Sequence, residues 1–147
     1  MKYSESIEID RPLAVVVEKF QDIESMHKWQ EGLIGYKLLE GAPGATGSTM
    51  SLSYQMGKRK VDMIETILNN DLPRRFDVVF DANGVKNINT NTFEVISPNR
   101  TRFTIETEFE FRGFMRLIAL VMPSAFRKQT LKMMKDFKRF VESDLKS

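Results

Sequence analysis

The stretch GFMRLIALVMPSAFRKQTLKMMKDFKRFVES, Gly113 to Ser143, decides how the rest of the chain must be arranged. It reads as one long helix, yet it carries a proline and two unlike halves. From Phe114 to Met122 it is apolar almost all round, interrupted only by Arg116. After Pro123 it becomes amphipathic, with Phe126, Met133, Phe137 and Phe140 set among Arg127, Lys128, Lys132, Lys135, Lys138 and Arg139. Proline lacks an N–H and clashes with the preceding turn, so a kink or a split is predicted at Pro123. A helix lying on a closed core needs an apolar stripe only about 100° wide. Phe114, Met115, Leu117, Ile118, Leu120, Val121 and Met122 cover more than that. This half is therefore expected to be covered on several sides, and a kink would let it tilt away from its support and open room for a ligand. A solid core under a kinked lid, or a homodimer contact on a greasy outer face, are the alternatives.

Working back from the helix, the sequence changes to period two. In TRFTIETEFEF (Thr101–Phe111), Phe103, Ile105, Thr107, Phe109 and Phe111 share one face, and Glu106, Glu108 and Glu110 the other. STMSLSYQM places Met50, Leu52, Tyr54 and Met56 on one face. GKRK is a turn into VDMIETIL (Val61–Leu68), NNDLPRR turns into FDVVFD, and ANG (Ala82–Gly84) turns into VKNINTNTFEVI. Gly35–Glu40 and Lys2–Ile9 complete seven predicted strands. Between these last two, Pro12–Phe20 and Ile23 to about Trp29 are predicted short helices, with Pro12 suited to a first turn and Asp22 to a cap. A sheet with one apolar face must bury it, and the terminal helix is the only element long enough to do so. The predicted class is α+β: a curved, seven-stranded antiparallel sheet around a long C-terminal helix, forming one domain over residues 1–147.

Composition removes several classes of function. The 147 residues contain no cysteine and one histidine, so disulfides, thiolate chemistry, a metal centre and a Ser-His-Asp triad are not expected. A net charge of +2 gives no argument for nucleic acid; the basic residues of the last helix read as a solvated face. No apolar run reaches the ~18 residues a membrane span requires, and MKYSESIEID lacks a signal-peptide core. No cofactor is expected, and the default location is the cytoplasm.

The opening SIEIDRPLAVVVEKFQDIESMHKW, the loop GAPGATG (Gly41–Gly47), the hairpin ETILNNDLPRRF and the terminal FRGFMRLIALVMPSAFRKQTLKMMKDFKRFVES follow one another in an order similar to that of the START-like (SRPBCC) superfamily. The polyketide cyclase/dehydrase-like branch is the nearest in pattern, over essentially the whole chain. The resemblance implies a helix-grip fold with an apolar cavity between sheet and long helix, its mouth formed by the short helices and nearby loops. It also implies one of several roles: carrier of an apolar small molecule, cyclase or dehydratase, or protein–protein adaptor.

Candidate residues follow from strand phase and helix face. Met26 and Trp29 are expected at the mouth, and GAPGATG at its rim; that loop leads into a strand and so cannot be a phosphate loop. Met50, Leu52, Tyr54, Phe93, Ile105, Thr107, Phe109 and Phe111 are the expected sheet wall, and Met115, Ile118, Ala119, Met122 and Phe126 the helix wall. Nine methionines and eleven phenylalanines suit either an adaptable lining or ordinary core filling. Glu5 and Glu65 are candidate inward carboxylates, with exposure or pairing to an arginine such as Arg59 or Arg75 as the alternative. For Glu65 a phase through Ile64 and Leu68 fits nearly as well as one through Val61, Met63 and Ile67. Asn87, Asn89 and Asn91 are in phase with Phe93 and Val95 and are candidates to orient a ligand's polar end. His27 is expected at the surface.

Overall fold

A computed structural model describes residues 1–143. The chain runs β1 (Lys2–Ile9), α1 (Leu13–Phe20), a 3₁₀ turn (Ile23–Lys28), β2 (Leu33–Glu40), β3 (Thr49–Met56), β4 (Arg59–Asp71), β5 (Arg75–Ala82), β6 (Val85–Ser97), β7 (Arg100–Phe111), α2 (Phe114–Val121) and α3 (Pro123–Glu142). The seven strands form one antiparallel sheet in the order β1-β7-β6-β5-β4-β3-β2. Each hairpin-linked pair is adjacent, and the excursion through α1 and the 3₁₀ turn carries the chain from one edge to the other.

The expected alternation holds where it was strictest. On β7, Phe103, Ile105 and Thr107 are buried, while Glu106 and its neighbours on the other face look outward. Met50 and Leu52 on β3 are likewise buried. The core gathers at one end of the sheet, where α1 and the C-terminal part of α3 meet β1, β6 and β7. Ile9, Val16, Trp29, Phe93, Phe103, Ile105, Met134, Phe137 and Val141 form one buried cluster there. Its aromatic rings interlock edge-to-face: Phe137 lies 4.7 Å from Trp29 and 5.5 Å from Phe103, centroid to centroid.

The terminal helix is split, as Pro123 requires. Met122 leaves helical geometry (φ −129°, ψ 55°), and Pro123 opens α3 at a first-turn position where its missing N–H costs nothing. The expectation that α2 is covered on several sides is overturned. No residue of α2 is buried; Met115, Ile118 and Ala119 rest partly covered, whereas Phe114, Leu120 and Val121 are 73%, 78% and 79% exposed. Breadth of apolar surface in a helix does not by itself guarantee burial.

Candidate functional site

Away from the packed cluster, sheet and α3 separate and enclose a cavity of about 700 Å³. Its floor follows from register. Met50, Glu65, Phe80, Asn87 and Phe109 are aligned across β3, β4, β5, β6 and β7, so their side chains form one row on the concave face. A second row brings Ile67, Val78 and Asn89 to the same face, ending at the buried Thr107. The roof is α3 from its first turn to its middle, through Phe126, Gln129, Thr130 and Met133. Asp22, Ile23, Met26, Trp29 and Glu31 from the connecting segment form the rim, together with Pro43, Gly44 and Ala45 of the glycine loop. That loop is pinned rather than loose: Gly47 N–H donates to the Ile67 carbonyl (2.7 Å), and the Asn70 amide donates to the Gly44 carbonyl (2.7 Å). Across the rim, the Lys132 ammonium lies 2.8 Å from Glu31 and 2.8 Å from Asp136, tying α3 to the segment before β2.

The polar groups inside are few and specific. Asn87 donates to Thr107 Oγ1 (2.7 Å) and the Glu108 carbonyl (3.2 Å), and Thr107 donates to Asn89 Oδ1 (2.6 Å). Asn91 donates to the Phe76 carbonyl (3.1 Å). This fixes the orientation of the amide row and leaves the Asn89 N–H groups and the Asn87 carbonyl oxygen with no protein partner among the described residues. Tyr54 donates its hydroxyl to Gln30 Oε1; burial, and secondarily the nearby Glu65 charge, raise its pKa. Glu65 itself makes no hydrogen bond or ion pair among the described residues, and burial pushes its carboxyl from 4.5 up to about 7. The buried Trp29 indole N–H has no partner among them either.

Of the residues expected at the site, Met26, Trp29, Met50, Tyr54, Glu65, Asn89, Asn91, Phe109 and Phe126 line this cavity. Leu52, Phe93, Ile105 and Thr107 do not; all four are buried, Phe93 and Ile105 within the packed cluster. Phe111 stacks on Phe109 and lies tilted against Phe126, beyond the cavity's end. Met115, Ile118, Ala119 and Met122 are also off the wall, because the break at Met122 directs α2 away from the hollow. Ala119, with Leu120, Arg116 and Phe111, borders instead a shallow depression of about 360 Å³. Glu5 faces α3 but is held by the Arg127 guanidinium at 2.6 Å, outside the cavity. Glu65 takes the phase of Met63 and Ile67, and Arg75 pairs with Asp77 instead. Met133, from the amphipathic half of the helix, also borders the hollow. The β5 wall of Phe76, Val78 and Phe80 was not anticipated, although the alternation in FDVVFD carried that signal.

Residues 1–142 match the family model described as polyketide cyclase / dehydrase and lipid transport. The chain belongs to that family. No curated protein matches it by sequence. Its fold is similar to that of a conserved protein from Geobacillus kaustophilus (TM-score 0.82, 16% identity, 97% of this chain and 96% of that one). It is also similar to the Zhui aromatase/cyclase from Streptomyces sp. R1128 (TM-score 0.83, 10% identity, 99% and 95%). A norcoclaurine synthase from Thalictrum shares the architecture as well (TM-score 0.74, 11% identity, 100% and 96%). At these identities the likeness is one of fold, and the family member's chemistry must be argued from its own cavity.

Proposed function

We propose that this family member binds an apolar small molecule bearing one or more polar groups in the cavity between sheet and α3. The observation that carries the reading is a hollow of about 700 Å³, within the size range of small-molecule sites, with Met, Phe, Val and Ile side chains along its wall and Glu65 and the Asn87–Asn89–Asn91 row among them. The apolar wall favours desolvation of a hydrocarbon or aromatic body. The unsatisfied amide groups and the carboxyl offer hydrogen bonds to hydroxyl or carbonyl groups at fixed positions along it. Native mass spectrometry of gently purified protein, with titration of the neutral fluorophore phenylnaphthylamine, tests this. Saturable one-to-one binding, weakened in Met133→Ala, is expected; absence of both bound metabolite and probe binding would defeat it.

A second reading is proton-transfer catalysis of the cyclase or dehydratase kind, and Glu65 is the observation that favours it. A carboxyl with no partner among the described residues and a pKa of about 7 is poised to take and return a proton near neutrality. Asn89 and Asn87 stand two strands away on the same face, placed to hold the oxygen on which charge develops. Deprotonation of a nitrobenzisoxazole, an activated carbon acid, should rise through a midpoint near 7 and vanish in Glu65→Gln. A rate that ignores this substitution would leave carriage alone.

A further inference from the structure

The exposed face of α2 is unlike the rest of the surface. With ~100° between successive helix residues, Leu120, Leu117, Val121 and Phe114 fall on an arc of ~120°, opposite the partly covered Met115, Ile118 and Ala119. Met122 (55% exposed) extends the apolar patch past the helix end. The charged residues of the segment that carries the patch are of one sign. Arg116 flanks the arc, Arg112 precedes the helix and Lys128 follows one turn into α3. Between Phe111 and Lys135 there is no acidic residue at all. None of Arg112, Arg116 and Lys128 makes an ion pair among the described residues, so their charge is available to an outside partner.

Large apolar side chains on one face, beside uncompensated cations, match a helix lying in the plane of a lipid interface and not one crossing it. No helix of the described chain is long and apolar enough to cross a membrane. We propose that α2 is a docking surface for an anionic lipid bilayer. Leu117, Leu120, Val121 and Phe114 enter the acyl boundary, and Arg112 and Arg116 meet lipid phosphates. Charge complementarity selects this occupant over a second copy of the chain, because facing α2 helices in a two-fold dimer would bring the arginines of both copies together. Phe109 borders both the main cavity and the depression beside α2, so a protein docked this way holds one end of its hollow next to the bilayer. Docking uses the outer face of α2 with the adjoining Arg112 and does not depend on the cavity being occupied.

Co-sedimentation with phosphatidylcholine vesicles, with and without ~30% phosphatidylglycerol, is the test. Binding is expected only to the anionic vesicles, weakening with salt. Arg112→Gln and Arg116→Gln should each reduce the partition coefficient about fivefold. Leu120→Asp combined with Val121→Asp should abolish binding while leaving the thermal melt unchanged, since both side chains are solvent-facing. The indole emission of Leu117→Trp should blue-shift on anionic vesicles. The proposal is overturned by absence of binding, by binding that survives the double aspartate variant, or by a concentration-dependent dimer that this variant dissolves without any vesicle binding. The phenylnaphthylamine titration run on the same variants should be unaltered, which separates loss of docking from loss of the cavity.

Discussion

The two halves of α3 lie over the same sheet and meet different fates. In the C-terminal half Met134, Phe137 and Val141 are completely buried against Ile9, Val16 and Phe103. In the N-terminal half Phe126 and Thr130, followed by Met133 at the junction of the halves, look across a hollow at Glu65, Phe80 and Asn87. What differs is a third layer. At the packed end α1 drops onto β6 and β7, and Phe20 fills the junction with its ring 5.1 Å from Phe93, 6.0 Å from Phe103 and 5.8 Å from Phe137. At the other end no such wedge arrives. There the strands turn the amides of β6 toward the space in place of bulky hydrocarbon. A helix on a curved sheet closes the core only where something fills the gap, and elsewhere the gap is the site.

Truncating the packed half should do the most damage. Phe137→Ala removes a ring in contact with Trp29, Phe20 and Phe103 and leaves a void that rigid neighbours cannot close. A loss of ~3–5 kcal/mol in denaturant unfolding is expected. A much smaller loss would mean that this end is no tighter than the other.

Next in size is a pH effect confined to the hollow end. Glu65 titrates at about 7 when folded and near 4.5 when unfolded, so between those values the native state holds the extra proton. Stability from this group is therefore greatest below pH 4.5, falls as pH rises toward 7, and is flat above. Each tenfold change in proton concentration across that window is worth ~1.4 kcal/mol, which makes the full drop about 3 kcal/mol. That figure is an upper bound, because water in the cavity can solvate the carboxylate. Glu65→Gln should remove this slope and be more stable than the parent at about pH 8, above the folded-state titration. Equal slopes in both proteins would place the carboxyl in solvent.

The sequence exposed the strands because alternation is strict wherever one face is buried, as in TRFTIETEFEF, and it exposed the split at Pro123 because proline's missing N–H has no interior remedy. It left Glu65 ambiguous for a physical reason. Ile64 and Leu68 on the outer face are partly exposed hydrophobes, 37% and 48%, so β4 is apolar on both sides and period two loses its contrast. It misled about α2 because an apolar helix face can be solvent-facing, and nothing local distinguishes that from burial. The location of the hollow was illegible, since it depends on where α1 ends.

Met133 packs against the core cluster on one side and borders the hollow on the other. Met133→Ala should therefore cost less than Phe137→Ala, on the order of 1–2 kcal/mol, because this side chain has fewer partners to lose. It should nonetheless alter phenylnaphthylamine affinity, which Phe137→Ala changes only by unfolding the protein. A Met133 variant as unstable as the Phe137 variant, with unchanged probe binding, would erase the distinction between the two halves.

The smallest effect belongs to Met122, at the break between α2 and α3. Its breadth of apolar neighbours in sequence suggests a wall residue, yet it is more than half exposed and does not border the cavity. The break itself is set by the proline that follows, whose constraint on the preceding residue is independent of that residue's side chain. Alanine at this position keeps the same backbone freedom and gives up little buried area. Met122→Ala should thus change unfolding free energy by no more than ~0.5 kcal/mol. Probe affinity should stay at the parent value, because no cavity contact is lost. A drop in affinity without a drop in stability would show that α2 folds back over the mouth when ligand is present, and the hollow half would then have a lid that the packed half lacks.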